Sequence, residues 1–369
     1  MPYGTINADL MTTSDGVSSS GLYGFKNRIL NGAMVIDQRN AGASVTPTGG
    51  ALTLDRWLYD ATQNSKVTIQ QNAGSVTPPV GFANYLGVTS SSAYSITAGD
   101  LFNVVQYIEG FNTFDLAWGT ASAATVTLSF RVYSSLTGTF GGALQNNART
   151  QSYPFTYSIP VANTWTTISV TIAGSTTGTW VGATNGRGLS VFFGLGVGST
   201  YATTAGAWAS GDYRGATGAT SVVGTNGATF YITGVQLEKG STATSFDYRP
   251  YGTELQLCQR YYYKLKASGN NGFFAVGTVE SSTLALGIIV FSVTPRTAPT
   301  ALEQSGTAGD YRVLVGATVT TCSAVPIIDG ADNFCARVAF TVASGLTTGQ
   351  ACILRSVNSN AFLAWSFEL

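Results

Sequence analysis

Two tryptophans in glycine- and threonine-rich segments are the residues best suited to bind a sugar. Trp180 lies in GTWVGATNGRG and Trp208 lies in TAGAWASGDYRG. An indole ring can stack on the apolar face of a sugar, while nearby amide, carboxylate and hydroxyl groups satisfy the sugar's hydroxyls. Alternatively, such rings plug the end of a β-sandwich or fill a contact between subunits. Further candidates for the same ligand are Tyr201, Asn185, Asp212 and Tyr213.

Catalytic chemistry has little support in this chain. Glu109 and Asp115, in YIEGFNTFDLAW, could form a glycosidase pair, which requires two carboxyl groups at a defined separation. The chain has 18 acidic residues among its 369 and they form no clustered motif, so both are expected to be solvated turn residues. Histidine is absent, which excludes Ser-His-Asp and Cys-His catalysis and His-ligated zinc. We therefore expect no enzymatic activity.

Metal, cofactor and nucleic-acid binding are also disfavoured. The cysteines lack CxxC spacing and are expected to be buried free thiols, and neither a metal site nor a cofactor is expected. Lys plus Arg and Asp plus Glu stand at 18 each, so no net field attracts nucleic acid. The longest apolar run, Leu284 to Val293, is about half a membrane span, so no membrane insertion is expected. The cysteines are Cys258, Cys322, Cys335 and Cys352.

The elements that would position the candidate residues are β-strands. From Lys26 to Phe246, apolar and polar residues alternate in short runs such as TVTLSFRVY and WTTISVTI, which indicates strands with one buried face. Turn clusters such as TPTGG and NGRG separate the runs. Many short strands at this spacing predict a sandwich or barrel, with a jelly roll as the favoured form.

Glycines in two of the predicted strands indicate local departures from regular packing. In VFFGLGVG, one face is apolar, and the glycines on the other would let a backbone, a ring or a ligand approach closely. In FYITGVQLE, the alternation can be read on either face around Gly234, which predicts a bulge.

The chain is predicted to contain an N-terminal arm, a large jelly-roll domain, a short linking helix and a smaller C-terminal β-sandwich. Residues 1–25 are polar and lack periodicity, so they are either a disordered terminus or an arm that orders against a neighbour. Residues 26–249 form the predicted jelly roll. Residues 267–369 return to strand patterns and form the second β-domain.

Residues 250–266 predict the linking helix. Thr253 and Gln256 have the spacing of a capping box, and an apolar stripe recurs at helical intervals behind them. Packing of this helix between domains or around a threefold axis would bury the stripe. The stripe residues, which are candidates for an oligomer interface, are Leu255, Cys258, Tyr262 and Leu265.

Two segments of the chain resemble a family of bacteriophage virion proteins. They are KNRILNGAMVIDQRN followed by LTLDRW (Lys26 to Trp57), and ITGVQLEKGSTATSFDYRPYGTELQLCQRYYYKL (Ile232 to Leu265). Both are similar to segments of tail-fibre or appendage proteins, especially of cyanophages and other aquatic phages, and the likeness spans nearly residues 1 to 265. The resemblance implies a homotrimeric structural protein with a carbohydrate-binding-module-like jelly roll, and it carries over no catalytic residue.

We therefore interpret the chain as a non-enzymatic virion protein, a homotrimeric tail fibre or appendage involved in host attachment. The arm would dock to other virion proteins, and the C-terminal domain would trimerise or contact the host. The alternatives are a capsid decoration or head-fibre protein, and a lectin-like adhesion module that binds host surface polysaccharide. A virion protein made in the host cytoplasm and released by lysis needs no signal peptide, and none is visible.

Overall fold

The computed structural model describes residues 25–369, which form two compact units. The first unit ends at Tyr251 and also includes Leu369, and the second unit is Gly252–Glu368. Both units are built almost entirely from antiparallel strands, so the predicted all-β fold class is confirmed. The predicted arm, residues 1–25, lies outside the described residues except for Phe25.

The first unit is a β-sandwich made of two antiparallel sheets. Its strands are β1 (Ala51–Leu52), β2 (Leu58–Ala61), β3 (Val67–Gln71), β4 (Leu86–Ser90), β5 (Leu101–Glu109), β6 (Val126–Ser134), β7 (Gly138–Asn146), β8 (Ser152–Ile159), β9 (Thr166–Ile172), β10 (Arg187–Val197), β11 (Ala202–Thr203), β12 (Gly215–Ala216) and β13 (Thr229–Lys239). Sheet 1 has the order β1-β2-β5-β10-β7-β8, and sheet 2 has the order β3-β4-β13-β6-β9. The short strands β11 and β12 pair with each other in parallel.

Alternation along the strands determines which side chains form the core. On β6, Leu128, Phe130 and Val132 are fully buried between the sheets. Phe130 packs edge to face on Phe193 of β10 with ring centroids 5.1 Å apart, which joins sheet 2 to sheet 1. The intervening residues of β6 therefore lie on the outer face of sheet 2, away from the core.

Both predicted glycine features are confirmed. A Cβ atom at Gly198 would lie 2.1 Å from the carbonyl oxygen of Thr97, so glycine is required for this close backbone approach. The pairing of β13 with β6 shifts register between Thr233 and Gln236, which is the bulge predicted around Gly234.

A hydrogen-bonded carboxylate fixes the turn that enters β5. Asp100 accepts hydrogen bonds from the Thr97 hydroxyl at 2.7 Å, the Thr97 backbone N–H at 2.9 Å, the Tyr94 hydroxyl at 2.9 Å and the Thr62 hydroxyl at 3.0 Å. These bonds, led by the one from the Thr97 side chain, hold the pKa of Asp100 well below its usual value.

The replacement Asp100→Asn is expected to lower the free energy of unfolding by about 2 kcal/mol at pH 7, because hydrogen bonds to a charged group are weakened. The pKa of Asp100 is depressed in the folded state, so its contribution is present above the unfolded pKa of about 3.9 and is lost as pH falls below it. Urea denaturation of wild type and variant should show a difference that shrinks from pH 7 to pH 3. An equal difference at both pH values would contradict the prediction.

The one α-helix found among the described residues is α1 (Tyr251–Gln259), and all of it except Tyr251 belongs to the second unit. Its strands are β14 (Tyr262–Lys266), β15 (Phe273–Ser281), β16 (Leu284–Val290), β17 (Glu303–Gln304), β18 (Tyr311–Val315), β19 (Thr318–Thr321), β20 (Ile327–Ala331), β21 (Cys335–Thr341), β22 (Ala351–Ser356) and β23 (Phe362–Ser366). Sheet 3 has the order β19-β18-β22-β15-β16-β21-β20, and a smaller sheet has the order β14-β23-β17.

The predicted helix over residues 250–266 is wrong beyond Gln259. Residues Tyr262–Lys266 form β14, which pairs with β23 near the end of the chain, so a long-range partner overrides the local helical spacing. Tyr262 and Leu265 therefore lie on a strand, while Leu255 and Cys258 lie on the helix, and the predicted continuous stripe does not form. Cys258 is 0% and Tyr262 is 2% exposed, so neither offers surface to another copy of the chain.

The cysteines and the apolar segments have the following surroundings. Cys258, Cys322 and Cys352 are buried, as predicted, and Cys335 is half-buried. Burial raises the pKa of the Cys322 thiol to about 12. Within residues 25–369, no helix is long and apolar enough to cross a membrane.

Candidate functional site

An open groove lies on the outer face of sheet 2, and we call it the outer-sheet groove. Its volume is about 400 Å³, within the range of about 300–1,000 Å³ that is typical of small-ligand pockets. Both aromatic and polar side chains line it. The lining residues are Val80, Phe82, Ser129, Arg131, Thr167, Ile168, Ser169, Gly234, Ala243, Thr244, Ser245, Phe246 and Tyr248.

Strand register places polar groups on the floor of the groove. Arg131 of β6 lies opposite Thr233 of β13 on one side and Thr167 of β9 on the other. Ser129 lies opposite Ser169 in the same pair of strands. Because these residues alternate with the core positions of β6 and β9, a guanidinium and several hydroxyl groups face outward together.

Three aromatic rings form a wall of the groove. The ring centroid of Phe82 is 5.1 Å from that of Phe246 and 5.5 Å from that of Tyr248. The ring centroids of Phe246 and Tyr248 are 4.8 Å apart. Gly234, at the bulge of β13, has φ +61°, and a Cβ atom there would lie 2.5 Å from the Phe82 ring. Glycine at this position therefore lets Phe82 lie directly over the strand.

The segment that carries Phe246 and Tyr248 is held by Asp247. Its carboxylate accepts hydrogen bonds from the backbone N–H groups of Lys26 at 3.0 Å and Asn27 at 3.1 Å. Its own backbone N–H donates to the side-chain oxygen of Gln236 at 2.7 Å. The two segments of the chain that resemble phage proteins thus meet beside the groove and fix one of its walls.

A row of aromatic side chains holds the segment that carries Phe82. Trp165 donates its indole N–H to the Thr77 carbonyl at 2.8 Å, and the Tyr85 hydroxyl accepts the Val76 N–H at 2.9 Å. These bonds fasten the β3–β4 connection, which leads to Val80 and Phe82, over the sheet. The row consists of Tyr85, Tyr231, Tyr133 and Trp165, with neighbouring ring centroids 5.1–5.5 Å apart.

Among the described residues that line the groove, Arg131 is the only one with a charged side chain. Within residues 25–369 its guanidinium makes no hydrogen bond or ion pair. Burial raises the pKa of Tyr248, and the positive charge of Arg131 opposes that rise, so the phenol is protonated at neutral pH. The groove therefore offers ring faces, hydroxyl groups and a positive charge to a ligand.

Comparisons with known proteins find distant structural similarities. No protein-family model and no curated protein sequence matches the chain. Similar solved structures include the enzymatically active domain of tailspike protein 4 of bacteriophage CBA120, with 13% identity and a TM-score of 0.33, covering 58% of this chain and 21% of that one. The chain therefore spans about a fifth of that protein.

Two solved structures of carbohydrate-binding modules are also similar to the chain. The family 11 module of Clostridium thermocellum in complex with a mixed-linked tetrasaccharide has 11% identity and a TM-score of 0.26, covering 55% of this chain and 97% of that one. The tandem CBM22 domains of Paenibacillus barcinonensis Xyn10C have 9% identity and a TM-score of 0.26, covering 90% and 98%. At these identities the likeness concerns the fold alone.

The structure brings the predicted sugar-binding tryptophans together. The ring centroids of Trp180 and Trp208 are 5.5 Å apart, and each ring packs edge to face on Trp118. Their indole N–H groups donate to the carbonyls of Thr177 at 3.0 Å and Ala173 at 2.7 Å. Trp118 and Trp180 line a cavity of about 200 Å³, and the rings pack against the sandwich core. A ligand-binding role for them stays a prediction.

The other predicted ligand residues lie around Arg214 or in loops. Arg214 donates two hydrogen bonds to Asp212, each 2.9 Å long, and its guanidinium lies 5.4 Å from the centroid of the Tyr201 ring. Tyr213 donates its backbone N–H to the Ser152 hydroxyl at 3.1 Å, and Asn185 is exposed. The six predicted residues therefore do not line a single pocket.

The two acidic residues considered for catalysis lie in different surroundings. Asp115 accepts two hydrogen bonds from Arg28, at 2.7 and 2.8 Å, and these hold the pKa of that carboxyl below its usual range. The expectation that both acids are solvated turn residues is wrong for Glu109. It is the last residue of β5, lies opposite Arg187 of β10 and is 2% exposed.

Proposed function

We propose that this chain is a non-enzymatic attachment protein of a bacteriophage virion, and that its outer-sheet groove binds a saccharide of the host surface. The observation that carries the proposal is the combination, in one groove, of ring faces from Phe82, Phe246 and Tyr248 with a polar floor. Rings stack on the apolar faces of sugars, and hydroxyl and guanidinium groups bind sugar oxygens.

The virion part of the proposal is supported by the resemblance of two segments to tail-fibre and appendage proteins. Residues of both segments, Asn27 and Asp247, hydrogen-bond to each other beside the groove. A capsid decoration or head-fibre protein would have the same features. The position of the labelled protein in images of the virion would distinguish tail from capsid.

Replacing Tyr248 with alanine is expected to weaken saccharide binding about tenfold, because the groove loses a ring face. Tyr248 is 56% exposed, so its removal should leave the fold intact. Binding is measured on a printed array that holds neutral and acidic bacterial surface polysaccharides. Tyr251→Ala, at a tyrosine 63% exposed outside the groove, is the matched control and should bind like wild type.

Two results of this experiment would contradict the proposal. The first is a wild-type protein that binds no saccharide on the array. The second is unchanged binding by Tyr248→Ala together with a loss of binding in Trp180→Ala or Trp208→Ala, which would place the site at the tryptophan cluster instead.

The homotrimeric assembly that we propose rests on the outer face of sheet 3. An aliphatic row crosses five neighbouring strands there, and three of its members are substantially exposed: Val276 at 72%, Ile288 at 59% and Val319 at 44%. Leu314 and Ile353 connect Val319 with Val276, because Leu314 pairs with both Val319 and Ile353, and Ile353 pairs with Val276. The row is too continuous for an ordinary solvated face.

The charged side chains near this row already have interaction partners within the chain. Arg337 pairs with Asp329 at 2.5 Å, and Arg355 lies 4.8 Å from the centroid of the Phe273 ring. The row itself is uncharged and aliphatic, and an identical row on another copy of the chain has the same chemistry. We therefore propose that sheet 3 forms the subunit contact of the trimer.

A further inference from the structure

We propose that the saccharide bound in the outer-sheet groove carries an acidic group, a carboxylate or a sulfate ester, and that Arg131 binds it. This inference rests on the proposed function, since it specifies the ligand of the same groove. It starts from the position of Arg131, the central residue of the floor, with Thr167 on β9 and Thr233 on β13 as its cross-strand neighbours.

The guanidinium of Arg131 has no counter-charge in the part of the chain that the structure describes. Arg131 is half-buried, and its guanidinium forms no hydrogen bond or ion pair with another residue in the range 25–369. A half-buried guanidinium is stabilised most by an anion, because charge-assisted hydrogen bonds are about twice as strong as neutral ones. The bound ligand can supply that anion.

The carboxylates nearest in sequence to the groove lining are engaged elsewhere. Glu238 accepts hydrogen bonds from the Thr244 N–H at 2.9 Å, the Thr244 hydroxyl at 2.6 Å and the Gln236 amide at 2.8 Å. Asp247 accepts the backbone N–H groups of Lys26 and Asn27. Both acids therefore position the groove wall, and neither forms an ion pair with Arg131.

The surroundings of Arg131 also suit a sugar that carries the acid. Ser129, Thr167 and Ser169 place hydroxyl groups on the same floor, where they can bind sugar hydroxyls. The rings of Phe246 and Tyr248 provide faces for the sugar ring. A planar guanidinium binds a carboxylate through two parallel N–H donors, and a neutral sugar would leave these donors without an anionic partner.

The test uses the full chain and four polysaccharides: polygalacturonate, its carboxyl-reduced form, dextran sulfate and neutral dextran, added to the array of bacterial polysaccharides. Wild type is expected to bind the acidic members at least about tenfold more tightly than neutral ones of matched backbone. Preference for polygalacturonate identifies a carboxylate ligand, and preference for dextran sulfate identifies a sulfate ester. Binding should weaken as salt is raised.

Arg131→Met is expected to abolish this preference, and Arg131→Lys to keep part of it, since lysine retains the charge but not the planar donor pair. Arg149→Met, at an arginine whose side chain is 51% exposed outside the groove, is the matched control and should keep the preference. Tight binding to neutral polysaccharides without acidic preference would overturn the inference and leave the proposed function standing. Failure to bind any polysaccharide would overturn both.

Discussion

Replacing Arg214 with methionine is expected to lower the free energy of unfolding of the first unit by about 3 kcal/mol at neutral pH. The Arg214 side chain is 10% exposed and binds Asp212 through two hydrogen bonds and Asp60 through a third, which is 2.7 Å long. Methionine keeps the apolar volume but leaves the half-buried carboxylates of Asp60 and Asp212 without the guanidinium that binds both. Removing one partner of a buried pair costs about 3–5 kcal/mol.

The pH dependence of this loss has a defined sign. Burial alone would raise the pKa of Asp212, but the hydrogen bonds from Arg214 and Gln145 outweigh it, and the pKa lies below its usual value. A depressed pKa stabilises the fold above the unfolded pKa of about 3.9 and ceases to do so as pH falls. The deficit of Arg214→Met measured by urea denaturation should therefore be largest near pH 7 and shrink toward pH 3.

Arg149→Met is the matched control for this prediction. Arg149 also approaches Asp212, at 3.9 Å, but its side chain is 51% exposed, and exposed pairs contribute at most about 1 kcal/mol. Equal losses in the two variants, or a deficit independent of pH, would show that the Arg214 network does not stabilise the fold through charge pairing.

The Arg214 network also shows why the sequence did not reveal how Asp212 is used. Asp212 and Tyr213 follow Trp208 in a glycine-rich segment, a setting that is compatible with ligand binding. The Asp212 carboxylate accepts hydrogen bonds from Arg214, which is two residues away. The same arginine also donates a hydrogen bond to Asp60 on β2. Sequence spacing gives no information about the contact of Arg214 with Asp60, 154 residues away, which holds the arginine in place beside Asp212.

The strands were predictable because the alternation of apolar and polar residues within each strand shows which side chains are buried. Alternation correctly identified the buried face of β6 and the bulge at Gly234, since both follow from periods within a few residues. The end of the helix was not predictable in this way. Tyr262–Lys266 has helical spacing with α1, yet it pairs with Phe362–Ser366, and no local period indicates that partner.

The outer-sheet groove was missed for a related reason. Ser129 and Arg131 occupy the polar positions of an alternating strand, which by pattern alone is an ordinary solvated face. Their significance comes from Phe82 and Phe246, which arrive from distant parts of the chain. The signal available in the sequence was the aromatic pair in SFDYRP, within one of the two segments that resemble phage proteins.

Replacing Ile288 with aspartate is expected to convert the proposed homotrimer into monomers. Ile288 is 59% exposed on the outer face of sheet 3, so the single chain should tolerate the change. In the trimer, the new carboxylate would be buried against aliphatic side chains of another copy, and its cross-strand neighbour Arg337 is already paired with Asp329. We expect the dissociation constant of the assembly to rise at least about a hundredfold, because burying a charge in an apolar contact costs several kcal/mol.

Sedimentation velocity at micromolar concentration measures this change, with circular dichroism to verify that Ile288→Asp is folded. Val80→Asp is the matched control, since Val80 is fully exposed but lies on the first unit, and this variant should keep the wild-type mass. Ile288→Thr, which retains a β-branched and uncharged side chain, should associate more strongly than the aspartate variant. A wild-type protein that sediments as a monomer, or a trimeric Ile288→Asp, would show that the outer face of sheet 3 is not the subunit contact.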